Sequence, residues 1–302
     1  MATRMTYLLV ILIWTTTPLA IKLGGDSLDP MASLTLRMLI AFLVGSAICT
    51  VGGIAALNIK RNGMVYLAGS LGLFPNMALV YFAAEYISSG LIALMFGLTP
   101  FCTAILARPI LGENLLLPHK IIAIILAMIG LLFIFYDDTV ITGKAYIGLL
   151  LMLGSNIIFS ACILWIKRLN KILHVPPFEQ TLGAMAFSLP GLLITWFFIF
   201  GYEPLSFSPI SIGSLIYLSL IASLIGFAAY YHVLNKMKVE NVALIPLITP
   251  ISAMILGVIV ADEIITNYMY IGAFFIIFAL AIHQEFFSIL FNSMIKIKFK
   301  KG

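Results

Sequence analysis

Acidic side chains are scarce in this chain: twelve Asp and Glu among 302 residues, with charged residues making up only 10% of the whole. A soluble globular domain spends about a quarter of its residues on charge, so that class is excluded. The three cysteines, Cys49, Cys102 and Cys162, stand singly inside apolar stretches and suggest neither a disulfide framework nor a metal site. HExxH, paired CxxC, GxxxxGK[ST] and GxSxG are all missing, and no polar stretch is long enough to fold into a nucleotide-hydrolysing domain. No enzymatic constellation, cofactor or metal is expected.

What fills the chain instead is hydrocarbon. Hydrophobic residues make up 62%, and the mean hydropathy is +1.14. The apolar residues fall into ten runs, near 6–24, 31–51, 63–85, 88–108, 118–136, 145–166, 179–200, 211–235, 240–260 and 267–287. Each is about as long as the ~20 residues a helix needs to cross a bilayer. The runs are too long and too uniformly apolar for the alternating strands of an outer-membrane barrel. The expectation is an all-α integral membrane protein of ten transmembrane helices. Arg4, the run YLLVILIW and the stretch TTTPLA imitate a signal peptide; removing it would break the repeat described next, so a retained first span is expected.

With the amino terminus in the cytoplasm, the inner segments carry Arg4, Lys60, Arg61, Arg108, Lys120, Lys167, Arg168, Lys171, Lys236, Lys238 and the lysines of the tail KIKFKK. The outer loops then hold only Lys144, beside Asp26, Asp29, Asp137, Asp138, Glu203, Asp262 and Glu263. That bias obeys the positive-inside rule and places both termini in the cytoplasm. The net charge of +5 therefore faces anionic lipid and needs no nucleic acid. A multi-pass cell-membrane protein is expected, the bacterial inner membrane being its natural setting.

One stretch occurs twice. ALMFGLTPFCTAILARPILGE, residues 93–113, aligns without gaps on ALIPLITPISAMILGVIVADE, residues 243–263, pairing Thr99-Pro100 with Thr249-Pro250 and Glu113 with Glu263. The same offset of 150, the distance from Pro100 to Pro250, also pairs Ala78 with Ala228 and Tyr81 with Tyr231. Such self-similarity reads as a duplication, with residues 1–142 as the first five-helix repeat and 143–302 as the second. Five is odd, so the second repeat enters the membrane inverted. Inverted repeats around a midplane site are an architecture of secondary transporters.

Polar and helix-breaking residues at mid-span mark the candidate site. The first run carries Trp14, Thr15, Thr16, Thr17 and Pro18, with Lys22 near its outer end. Its threonines either bond back to their own helix or line a polar path. Lys22 either snorkels to the outer headgroups or meets an anionic group. Arg37 lies roughly 10 Å below Pro30 at 1.5 Å per residue, either clamping carbonyls or lining the pathway as a cation. Asn76 and Asn156 need partners, from neighbouring helices or from a ligand. Thr99 and Thr249 precede Pro100 and Pro250, which with Pro18 and Pro246 are candidate hinges; the alternative is a set of fixed packing kinks. The bends at Pro100 and Pro250 are expected to be symmetric. Tyr230 and Tyr231 suit either a cavity wall or the interfacial belt, and His232 either carries a proton or simply hydrogen-bonds. Glu85, His283 and Glu285 are expected at solvated helix ends. The fifth and tenth runs are apolar on every side and read as a scaffold or a subunit contact.

Trp14 with Lys22 eight residues on, Arg37, and the paired segments from Pro100 to Glu113 and from Pro250 to Glu263 resemble the drug/metabolite transporter superfamily, in its EamA-type branch. The resemblance spans essentially the whole chain. It implies ten helices in two inverted halves and a central cavity lined by helices one, three, four, six, eight and nine. It also implies transport of small metabolites such as amino acids, often outward, or of drugs. From the polar mid-span residues, those expected in that cavity are Trp14, Thr15, Asn76, Thr99, Asn156, Tyr230, Tyr231 and Thr249, with Lys22 and Arg37 as charge partners of an anionic group. Thr15 stands where the family usually has a glycine, and Ala261-Asp262 where Leu-Gly is commoner. The expected partners are a small-molecule substrate and the lipid bilayer, with the chain a monomer or homodimer. The competing reading is a non-transporting membrane subunit or lipid-handling protein whose polar residues only hold helices together.

Overall fold

The computed structural model describes residues 2–52, 57–112, 117–136, 143–200, 205–237, 245–283 and 285. Among the described residues each of the ten apolar runs is mainly helical, and no strand is present. The first run is α1 (Ala2–Gly24) and the second α2 (Pro30–Val51). The third is split into α3 (Ile59–Leu71) and α4 (Asn76–Tyr86), and the fourth into α5 (Ser89–Phe96) and α6 (Thr99–Leu111). The fifth, α7 (Pro118–Phe135), precedes α8 (Ala145–Leu173) and α9 (Pro177–Ile194), which continues as a π-helical turn, Thr195–Phe200. The eighth run is composite: α10 (Pro209–Ile216), a π-helical segment Tyr217–Ile225, and α11 (Gly226–Lys236). The chain closes with α12 (Ile245–Ala261) and α13 (Asn267–His283). Eight of the helical stretches are long and apolar enough to cross a membrane, and the last two are shorter apolar helices.

The helices start where sequence chemistry says they should. Asp29 accepts from the Met31 amide at 3.0 Å with Pro30 in the first helical position, and Ser88 accepts from the Leu91 amide at 3.3 Å. Each cap satisfies a donor that the helix itself cannot. Large apolar side chains such as Leu8, Leu12, Ile122, Ile125, Leu132 and Phe274 point outward, as suits a surface solvated by acyl chains. Small residues mediate the closest contacts inside. At the crossing of α7 and α13, a Cβ on Gly130 would lie 2.7 Å from the carbonyl oxygen of Gly272, and one on Gly272 would lie 2.6 Å from that of Gly130. Phe133 stacks on Phe275 beside this crossing, at 5.7 Å between centroids. The fifth and tenth runs therefore pair with each other.

The other main contacts interleave the halves. Helix α1 packs against α10 to α12, while α8 packs against α3 to α6; α2 lies on α9 and the π-helical segment Tyr217–Ile225, and α9 lies on α2 and α3. Exchanging the first five runs for the last five leaves this pattern of neighbours nearly unchanged.

The expected symmetry of the two Thr-Pro bends is corrected. The fourth run is interrupted at Gly97-Leu98, but α12 continues unbroken through Pro250. Two differences account for it. Leucine, a much better helix former than glycine, occupies position 247, the counterpart of Gly97. Donors also meet the first break from outside, as described below, whereas Thr249 only bonds back to the Ile245 carbonyl at 3.1 Å. The third run breaks at 72–75, and its counterpart at an offset of 150 falls within the π segment ending at Ile225. Corresponding places are distorted, each in its own way.

Candidate functional site

Ser155 and Asn156, adjacent on α8 and both fully buried, serve the two broken helices at once. Asn156 Nδ2 donates to the Met95 carbonyl at 2.8 Å, and its Oδ1 accepts from Thr99 Oγ1 at 2.6 Å. Ser155 Oγ donates to Asn76 Oδ1 at 2.7 Å, while Asn76 Nδ2 caps the Gly72 carbonyl at 3.0 Å. One turn further on, Ser160 Oγ reaches the Thr99 carbonyl at 3.2 Å and Thr103 Oγ1 at 3.0 Å. Side chains thus meet backbone carbonyls at both breaks, adding to the backbone bonds there, as irregular backbone inside a membrane requires. Asn76, Thr99 and Asn156 form one seam between α4, α5, α6 and α8.

Beyond that seam a narrow cavity opens between α3, α8, α9 and α11. Gly69, Gly72 and Leu73 floor one side; Phe159, Cys162 and Ile166 come from α8, Thr181 from α9, and Phe227, Tyr230 and Tyr231 from the eighth run. The wall is aromatic and apolar with a few hydroxyls, the lining chemistry typical of a small-molecule site. It lies toward the ends of α8 and α11 that carry Lys167, Arg168 and Lys236. At that end Glu179 accepts from Asn62 Nδ2 at 2.7 Å and from the Tyr66 hydroxyl, tying α9 to α3.

The opposite end is gripped. Lys22 Nζ donates to the carbonyls of Ala84 at 2.5 Å and Ile87 at 3.2 Å, at the carboxyl end of α4. Glu263, following α12, accepts from the amides of Ser89 at 2.7 Å and Gly90 at 3.1 Å, at the amino end of α5. A cation at a helix carboxyl end and an anion at an amino end each complement the helix dipole. Gly257 makes room for this: a Cβ there would collide with the Glu263 carboxylate. Two residues distant in sequence therefore hold the α4–α5 hairpin, one from either side.

Of the ten candidate cavity residues, Tyr230 and Tyr231 line the cavity. Trp14 stands behind them, its ring 4.6 Å from that of Tyr230. Thr15 is buried with its hydroxyl unpartnered among the described residues, whereas Thr16 and Thr17 bond back to Ile13, and Thr16 also meets the Tyr217 hydroxyl at 2.5 Å. Arg37 is buried against Ser223 and Tyr81. Pro18 and Pro250 are buried, Pro100 is half-buried, and Pro246 lies at the start of α12. His232 is half-buried on α11, next to the wall but outside it. Glu113 falls outside the described residues.

One expectation about helix ends is corrected. The Lys22 ammonium bonds the Ala84 and Ile87 carbonyls. His283 is not at a solvated end: it is 5% exposed and meets Phe101 edge-on at 4.9 Å, because α13 tucks its last turn under α6. Glu285 is exposed but pairs with His119 at 3.3 Å, and Glu85 is exposed as expected. Sequence reasoning missed Cys162, Thr181, Phe159 and Phe227. The Gly69 and Gly72 pair, three residues apart on one helix face, was the available sign that something approaches α3 closely.

The EamA-like transporter family model matches residues 4–136 and again residues 146–283. The chain belongs to the EamA-like transporter family. Among its relatives is the uncharacterized transporter YyaM of Bacillus subtilis (strain 168), 26% identical over 74% of this chain and 74% of that protein. A second, described as a probable amino-acid metabolite efflux pump of Escherichia coli (strain K12), is 22% identical over 91% of this chain and 92% of its own. A solved crystal structure, 17% identical, superposes with a TM-score of 0.64 over 93% of this chain and 97% of that one, and so shares the fold. As a member of this family the chain is a multi-pass membrane protein that transports small molecules.

Proposed function

We propose that the chain is a secondary transporter of small metabolites, amino acids or compounds related to them, working by alternating access as an exporter in the cytoplasmic membrane. The observation that carries this reading is one cavity with unequal ends. It is walled by helices of both halves, approaches the basic end of the bundle, and stops short of the opposite end, where Lys22 and Glu263 hold the α4–α5 hairpin. Under the positive-inside rule the basic end is cytoplasmic, so this is an inward-facing arrangement and both termini are cytoplasmic. Ten spans in two inverted repeats, 1–142 and 143–302, would then exchange inward- and outward-facing forms. The interleaved packing of the halves and the repeated family match support that. The name of the Escherichia coli relative supports amino-acid metabolites as the substrate class.

The test is uptake and counterflow in proteoliposomes with a panel of amino acids, nucleosides and cationic drugs, with and without a proton gradient. Saturable movement of at least one class is expected. Failure across the panel, from protein that is monodisperse and folded, would return the chain to the reading of a non-transporting membrane subunit. Thiol labelling gives a second check. A cysteine at position 231 should react with an aqueous reagent from the cytoplasmic side, and one at position 156 should not.

A further inference from the structure

Arg37 is an arginine without a matching anion among the described residues. It is 2% exposed and sits on α2, roughly 10 Å below Pro30 at 1.5 Å per residue. Its Nε donates to Ser223 Oγ at 2.7 Å, its Nη1 to the Tyr81 hydroxyl at 3.3 Å, and its guanidinium lies 6.0 Å from the centre of the Tyr81 ring. Every one of these partners is neutral. No carboxylate pairs with it among the described residues. Among the described acids none lies within a span: Asp26, Asp29, Glu85, Asp262 and Glu263 are at one end of the helices, and Glu179 and Glu285 at the other. A buried cation satisfied only by hydroxyls is electrically incomplete, and in a membrane such residues mark ligand pathways.

Its place in the bundle gives the missing partner a route. Ser223 lies four residues before Phe227, which lines the cavity, so Arg37 stands about one helical turn beyond the cavity's closed end. The intervening backbone is the π-helical segment Tyr217–Ile225, a local geometry that recurs at functional sites. Lys22, another cation on this side, is already committed to backbone carbonyls. We infer that Arg37 is the seat for a carboxylate of the transported molecule, reached past Phe227 when the closed end of the cavity opens. A guanidinium offers five N–H donors in a planar fork that matches a carboxylate; two are used by the hydroxyls that hold its position. This deepens the transport reading and rests on it for the direction of movement, but the binding step is testable without transport.

The experiment compares each amino acid of the panel with its primary amide, in wild type and in Arg37→Gln, Arg37→Lys, Ser223→Ala and Tyr81→Phe. Two quantities are read: thermal stabilisation of detergent-purified protein by the probe, and counterflow in proteoliposomes. Arg37→Gln should weaken apparent affinity for the acid at least tenfold while changing that for the amide less than twofold, and Arg37→Lys should recover part of the loss. Equal losses for acid and amide in a folded Arg37→Gln protein would overturn the proposal in favour of a structural clamp. So would undiminished handling of the acid, or wild-type protein that no carboxylate probe stabilises. If Arg37→Gln does not fold, Ser223→Ala decides: an acid-to-amide preference lowered at least threefold supports the proposal, and an unchanged preference overturns it. Carboxylate binding that depends on Arg37 without any counterflow would sink the transport reading and leave this one standing.

Discussion

Glu263→Gln is the sharpest probe of how the closed end is held. The substitution preserves side-chain shape but turns one of two acceptor oxygens into a donor. With Ser89 N–H at 2.7 Å and Gly90 N–H at 3.1 Å from the carboxylate, one amide must lose its partner and the other keeps only a neutral one. A hydrogen bond to a charged group contributes about 1.5–3 kcal/mol, and a neutral one roughly half as much. Glu263 is half-buried, so water recovers part of the loss, and the net destabilisation should be about 2 kcal/mol. In a thermal melt followed by the fluorescence of Trp14, Trp165 and Trp196, that is a fall in Tm of several degrees. Hydrogen exchange should quicken at the Ser89 and Gly90 amides in particular. The control is Glu85→Gln, at the same end but exposed, which should stay within about 0.5 kcal/mol of wild type. If the two variants melt alike, or if exchange rises uniformly instead of at the α5 amino end, the capping argument is wrong.

Gly257→Ala should act through the same carboxylate, since its new Cβ occupies the space of Glu263; it should lower Tm, and its effect should be strongly non-additive with Glu263→Gln in a double-mutant cycle. Asn156→Leu leaves the Thr99 hydroxyl without its partner and the Met95 carbonyl with only the Leu98 N–H, which should cost about 1–3 kcal/mol by the same melt; an effect below about 0.5 kcal/mol would mean the Thr99 hydroxyl finds a partner elsewhere. Gly130→Ala would place a Cβ 2.7 Å from the Gly272 carbonyl oxygen and should cost about 1–3 kcal/mol through forced separation of α7 and α13, while leaving the acid-to-amide preference unchanged.

Composition and periodicity alone determined the solvent, the helical class and the places of the apolar helices. A bilayer imposes length and internal hydrogen bonding on any spanning segment, and both constraints are readable one run at a time. The duplication was legible for a related reason: Thr-Pro and a distal Glu at one offset is a pattern along the chain. What those residues do was not legible, because it depends on which distant atoms they meet. Asn76 and Asn156 were flagged as needing partners, but only packing against α8 showed that Ser155 and Asn156 complete two broken helices. Lys22 and Glu263 lie 241 positions apart, and nothing local announces that both close on residues 84–90. The same holds for the cavity, whose wall draws residues from four helices, and for Arg37. Sequence gave its depth, while the fold supplied two neutral hydroxyls and no anion. Side-chain type fixes what a group requires; three-dimensional proximity decides whether protein, water or a ligand supplies it.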